Sequence, residues 1–389
     1  MTIKKCISII LLSAFIFFDC SDEPTSIGSG LLGEKINLIT INSDSLPINQ
    51  ASSYFHLQNV RLGASASLLL GKTENSDTAS ILIKFDAGLV DSVKGAILND
   101  SITVTSAVME LQQTYSFGEA TAPFDFTVHK VLSNWSVDFN EDSLLGLQYD
   151  PEDSKLNEHG ISDSLTSITL NIQLLQEWLN IIADTSLNGN YGVYIKPTDN
   201  TQKVLGYQAI TQTFTNIPVI KVVIEKTGDY TDTITFSSTL DLTVMRGSIP
   251  PVSSGNIPIR ASFVINGKLF FDLSPLPENI VVNKAELILT VDTLETKVGS
   301  SYTNQLQAYF LFDSLNTDSV SSSSVTLLRS GNTFSGNITN YIRAWLENNN
   351  HGLILTAGNP ISGVELFVIK GSDAVLNKPL LKITYTELK

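Results

Sequence analysis

Apolar and polar residues alternate along most of this chain. In the segment that begins at Ser106, residues Ala107, Met109 and Leu111 fall on one side, and Glu110 and Gln112 on the other. Phe124, Phe126 and Val128 alternate with Asp125, Thr127 and His129, and Ala285, Leu287, Leu289 and Val291 alternate with Glu286, Ile288 and Thr290. A period of two, interrupted by clusters of Gly, Pro, Asn and Ser, predicts antiparallel strands packed face to face. Two stretches keep helical spacing instead. Leu174, Leu175, Trp178 and Leu179 share one face of a turn-by-turn pattern, as do Ile338, Tyr341, Ile342, Trp345 and Leu346. Each predicts a short amphipathic helix lying on a sheet.

The two helices expose an internal repeat. The first copy runs from Ile81 to Phe85-Asp86, through the Ala107 and Phe124 strands and the Trp178 helix, to Asn190-Tyr-Gly and the closing Asn216-Ile-Pro segment. The second runs from Lys268 to Phe271-Asp272, through the Ala285 and Leu306 strands and the Trp345 helix, to Asn350-His-Gly and the closing Asn377-Lys-Pro segment. The chain therefore reads as all-β: two tandem antiparallel β-sandwich domains of jelly-roll-like form, each with one short helix. The expected divisions are a leader over 1–20, a tether over 21–34, and domains over 35–228 and 229–389.

The leader changes the picture of where the chain works. Lys4 and Lys5 precede an apolar run from Ile7 to Phe18, too short to cross a bilayer at roughly 20 residues per helical span. The run ends at Cys20, and the segment resembles the lipobox of bacterial lipoproteins. The expectation is a protein lipidated at Cys20 and held on the outer membrane, with Ser21-Asp22-Glu23 resembling the acidic tract that sends such proteins outward. Two or three acyl chains anchor far more firmly than one. The other cysteine, Cys6, lies inside the leader, so the folded body holds no disulfide, thiolate zinc site or cysteine nucleophile.

Charge narrows the partners. Asp and Glu number 39 against 24 Lys and Arg, a net charge of −15 that disfavours nucleic acid and anionic headgroups.

The order of landmarks resembles the disaggregatase-related (DNRLRE) repeat, a jelly-roll sandwich grouped with carbohydrate-binding modules. The matching positions are Phe85-Asp86, the Ala107 strand, Trp135, Trp178, Gly192 and Pro218 in the first copy. In the second they are Phe271-Asp272, Leu276-Pro277, the Ala285 strand, Trp345, Gly352 and Pro379. The second copy has no counterpart of Trp135, and the first has no Leu-Pro turn. The resemblance implies a sandwich fold and carbohydrate binding.

Candidate chemistry is sparse. No phosphate-binding glycine loop, paired-histidine zinc motif, EF-hand loop or nucleophile elbow is present, and the four histidines are isolated in sequence. The stretch 140–164 is strongly acidic. It reads as a solvated loop or, through Asp150, Glu152 and Asp153, as a Ca²⁺ site. Trp178 and Trp345 belong to apolar helix faces. Trp135 follows a strand and adjoins the acidic stretch, where an indole could stack on a sugar ring. The expected function is non-catalytic binding or retention of an extracellular glycan; the alternative is an adhesive or structural envelope protein whose partner is another protein.

Overall fold

The computed structural model describes residues 37–388 apart from 46–47, 59, 75–76, 157–159, 163, 188 and 211–214. The expected leader and tether, with Cys20, lie outside the described residues. Within them, the alternating segments form strands and the two helical patterns form helices Ile172–Ala183 and Thr339–Glu347. The strand Ile102–Phe117 buries Ala107, Met109 and Leu111 as its pattern requires, because successive side chains leave a pleated strand on opposite faces.

The strands form two antiparallel systems, here called unit one and unit two. In unit one, six strands close a ring. Its order is Val204–Gln208, Ser67–Lys72, Thr78–Asp86, Tyr230–Arg246, Val219–Lys226 and Ile102–Phe117, whose far end pairs back to Val204–Gln208. The long strand Tyr230–Arg246 serves both layers. Its first half pairs with Val219–Lys226 and its second half with Thr78–Asp86.

Unit two has the same plan, but the chain supplies its closing strand from elsewhere. Leu38–Asn42 pairs with Leu380–Glu387, and Gln50–His56 pairs with Ile265–Phe271. Those are the two pairings that Tyr230–Arg246 makes in unit one. The strands therefore do not sort into 35–228 and 229–389. Each sequence repeat begins with a strand that completes the other unit: 38–56 joins unit two, and 230–246 joins unit one. The cause is local. A tight turn, with the Asp229 amide donating to the Lys226 carbonyl, folds 230–246 straight back onto the preceding strand and occupies the place that 38–56 would otherwise take.

Hydrogen bonds confirm the equivalence of the units. Asn190 Nδ2 donates to the Phe85 carbonyl at 2.9 Å, and Asn350 Nδ2 donates to the Phe271 carbonyl at 2.6 Å. The following glycines, Gly192 and Gly352, have φ of 84° and 88°. A Cβ there would fall 2.0 Å from the Ile83 carbonyl oxygen and 2.4 Å from that of Leu269, so only glycine fits. The Ile210 amide donates to Asp241 at 2.7 Å, and the corresponding Ser372 amide donates to Ser52 Oγ at 2.8 Å. Trp178 and Trp345 are both buried with Nε1 unpartnered.

Between the units, Leu69, Tyr115, Phe117 and Met245 pack with Phe263, Ile265 and Val364. Beside this core, Arg260 of unit two pairs with Asp77 of unit one, both almost wholly buried. Asp77 also accepts from Thr73 Oγ1 and the Ser248 amide, each at 2.9 Å. Such a pair gains little net stability after desolvation, but a mispaired arrangement would strand a buried charge.

Candidate functional site

One face of the sheet that joins Phe126–Lys130, Val193–Pro197, Thr78–Asp86 and the end of Tyr230–Arg246 differs sharply from its counterpart in unit two. In unit one, one cross-strand row reads His129, Tyr194, Leu82 and Leu242. This row is apolar because it is covered. The connection after Phe126–Lys130 folds over it and lays down Val131, Trp135, Leu144 and Leu147 against Leu82, Tyr194, Leu242 and Val244. Asn140 caps a short helix in this roof, Glu141–Leu145, by accepting from the Ser143 amide at 3.0 Å.

Trp135 is therefore not a sugar platform. It is only 5% exposed, and its Nε1 donates to the Tyr191 carbonyl at 2.7 Å. The burial follows from the apolar row beneath it, which needs a large side chain to exclude water.

The acidic stretch is strapped to the sheet through its described part. The Leu132 amide donates to Gln148, Asp150 to Lys130, Ser154 to Val128 and Leu156 to Thr169, at 2.7–3.0 Å. The carboxylates take part. Asp150 accepts from the Glu152 amide at 3.0 Å, and Asp153 accepts from the Val128 and Lys155 amides at 2.9 and 3.0 Å. Asp153 thus occupies the outer edge of the Phe126–Lys130 strand, standing in for a missing strand partner. Glu152 is exposed and contributes its backbone carbonyl to His129. Among the described residues no three His, Cys, Asp or Glu side chains gather where they could hold a metal ion. Glu158 and Asp163 lie outside the described residues.

His129 and His56 have structural surroundings. His129 is buried, with Nδ1 2.9 Å from the Asp150 carbonyl and Nε2 2.8 Å from Thr127 Oγ1. Burial, aided by the Lys196 charge, lowers its pKa. His56 stacks on Phe263 with ring centroids 4.0 Å apart, and burial lowers its pKa as well.

In unit two the matching row reads Tyr309, Ile354, Lys268 and Ser53. Among the described residues no connection like the 131–156 roof lies over it; Ile354 is buried, while Tyr309 and Lys268 are half-buried and Ser53 is exposed. At one end of this open face is a shallow cleft of about 430 Å³, lined by Ser52, Ser53, Lys268, Phe270, Asn350 and His351 among others. Phe270 is half-buried, and it lines the cleft beside hydroxyl, amide, ammonium and imidazole groups. Lys268 Nζ donates to the Ser314 carbonyl at 2.8 Å, which holds the ammonium over the cleft edge. A planar apolar surface ringed by hydrogen-bonding groups is the chemistry that a sugar ring, with one apolar face and a polar rim, requires.

Sequence reasoning passed over Phe270 because it lies one residue before the Phe271-Asp272 landmark and looks like core. Its signal was the alternation itself: if Leu269 and Phe271 point inward, Phe270 must point out.

No family model, curated protein or solved structure matches the chain.

Proposed function

We propose that this chain is a cell-surface lipoprotein, held by an acylated Cys20, whose second unit binds extracellular glycan without cutting it. The observation that carries this reading is the partly exposed Phe270 in the polar cleft of unit two. The resemblance to disaggregatase-related repeats supports it, as does an acidic chain poor in basic residues. In this reading unit one has a structural part, since its equivalent face is roofed by Trp135 and its neighbours. One cleft gives modest affinity, and lipid-anchored copies on one surface would add avidity.

The test is a glycan array probed with the mature chain beside its Phe270→Ala variant. The expected result is retention of some polysaccharides by the parent and at least about tenfold weaker retention by the variant. Chelator should leave binding unchanged, because Asp150, Glu152 and Asp153 lie on the other unit. Retention of no glycan would overturn the reading. Release of oligosaccharide would make the protein an enzyme.

A further inference from the structure

Unit two carries a second opening that glycan binding does not use. It is a cleft of about 640 Å³ between the 273–282 segment and helix Thr339–Glu347, with Leu276, Ile280, Val281 and Leu346 among its apolar walls. The internal repeat shows what such a cleft holds. In unit one the connection 87–101 forms a helix, Asp91–Leu98, that packs on helix Ile172–Ala183. In unit two the corresponding connection, 273–279, contains no helix.

The two supporting helices are set alike, so the difference lies in the cover. Gln176 Oε1 accepts from the Val104 amide at 3.0 Å. Arg343, at the same position of its helix, donates Nε and Nη2 to the Val282 carbonyl at 2.9 and 2.7 Å. Three residues beyond each latch stands a leucine. Leu179 is 0% exposed, in the same core that Val93, Ala96 and Ile97 of the Asp91–Leu98 helix join, whereas Leu346 is 41% exposed. Val281, on the opposite wall, is exposed as well.

We propose that this cleft docks a short amphipathic helix of a partner protein, in the position that unit one fills with its own. The unit-one helix presents Val93, Ala96 and Ile97, spaced i, i+3 and i+4, and the partner helix presents the same apolar stripe. Charge adds to the description. Glu278 and Glu347 stand at the rim, while the Arg343 guanidinium is turned to the Val282 carbonyl. The partner helix therefore carries lysine or arginine beside its apolar stripe.

The probe is a fluorescein-labelled, stapled peptide of sequence 88–101 bearing Asp100→Lys and Gly95→Ala, so that the helix is held before binding. Titrated with the mature chain, it should give a saturable anisotropy rise with Kd of about 10–100 µM. Leu346→Glu and, separately, Val281→Glu should weaken it at least about tenfold while keeping the parent Tm, since both positions are exposed in the free chain. Replacing 273–279 with 87–101 should fill the cleft and abolish binding. Phe270→Ala should leave it unchanged. Absence of saturation below about 1 mM, or equal binding by both glutamate variants, overturns the proposal. So does Leu346-dependent binding to phosphatidylcholine vesicles without peptide binding, which would assign the cleft to lipid.

Discussion

Unit one and unit two share a strand path, a helix, its latch and the paired Asn–Gly turns, yet their surfaces are opposite in character. Unit one spends two connections, 87–101 and 131–156, on covering itself: one puts a helix over Leu179 and the other puts Trp135 over Leu82 and Leu242. Among the described residues unit two has neither cover, and at the same two places it has clefts bordered by Leu346 and by Phe270. Within a tandem repeat, the copy that keeps its covers shows how each site looks when filled. The copy without them leaves the same framework open to solvent at Leu346 and Val281.

The sharpest way to break this comparison is to separate the repeats. Expressed alone, 37–228 and 229–389 each carry the other unit's closing strand and lack their own. Neither should show a cooperative urea transition by circular dichroism, and equimolar mixing should restore one. Cooperative unfolding of either fragment by itself would mean that the exchanged strands are dispensable.

Truncating the matched leucines comes next. Leu179→Ala should cost about 2–5 kcal/mol in denaturant unfolding, the usual range for emptying a buried leucine site. Leu346→Ala should cost less than about 1 kcal/mol, as expected for a position open to solvent. Equal costs would show that the cleft of unit two is closed in solution.

The smallest effect concerns the matched strand-end contacts, Asp241 in unit one and Ser52 in unit two. Burial pushes the Asp241 carboxyl up to about 6, although the Ile210 amide opposes the shift. A folded pKa above the ordinary 3.8 means that the folded state holds the proton more tightly. The resulting stability is complete below about pH 4 and disappears as pH rises through 6. Asp241→Asn keeps an acceptor for Ile210 and removes the ionisation. It should raise stability at pH 7.5 by up to about 3 kcal/mol and change little at pH 4. A uniform change at both pH values would remove Asp241 as the titrating group.

Much of the framework was legible in the sequence because burial imposes a period. Ala107, Met109 and Leu111 announce a strand, and Leu174, Leu175, Trp178 and Leu179 announce a helix, whatever they pack against. Pairing is less legible. The alternation in 38–56 says which face is inward but not that Leu38 lies opposite Thr386. The helix Asp91–Leu98 was missed because it is short, contains Gly95 and starts with no side-chain cap. Trp135 was misjudged because its cover is reciprocal: the indole is buried only by the roof it belongs to, and a connection's own fold carries no period. The carboxylates of 150–153 looked like cation ligands for the same reason, since nothing in their spacing tells that Asp153 faces the Val128 amide.

The pairing of Leu38 with Thr386 also sets a clock. At roughly 5–20 residues per second, a ribosome needs roughly 20–70 s to pass from one to the other. Throughout that interval Leu38–Asn42 has no partner to join, because Leu380–Glu387 is made last, whereas Gln50–His56 can dock once Ile265–Phe271 has emerged. Unit one can close as soon as Arg246 has emerged, but unit two stays unfinished until almost the last residue. Its first-made strand is the last to dock, a long-range closure that slows folding and holds the chain extended during synthesis.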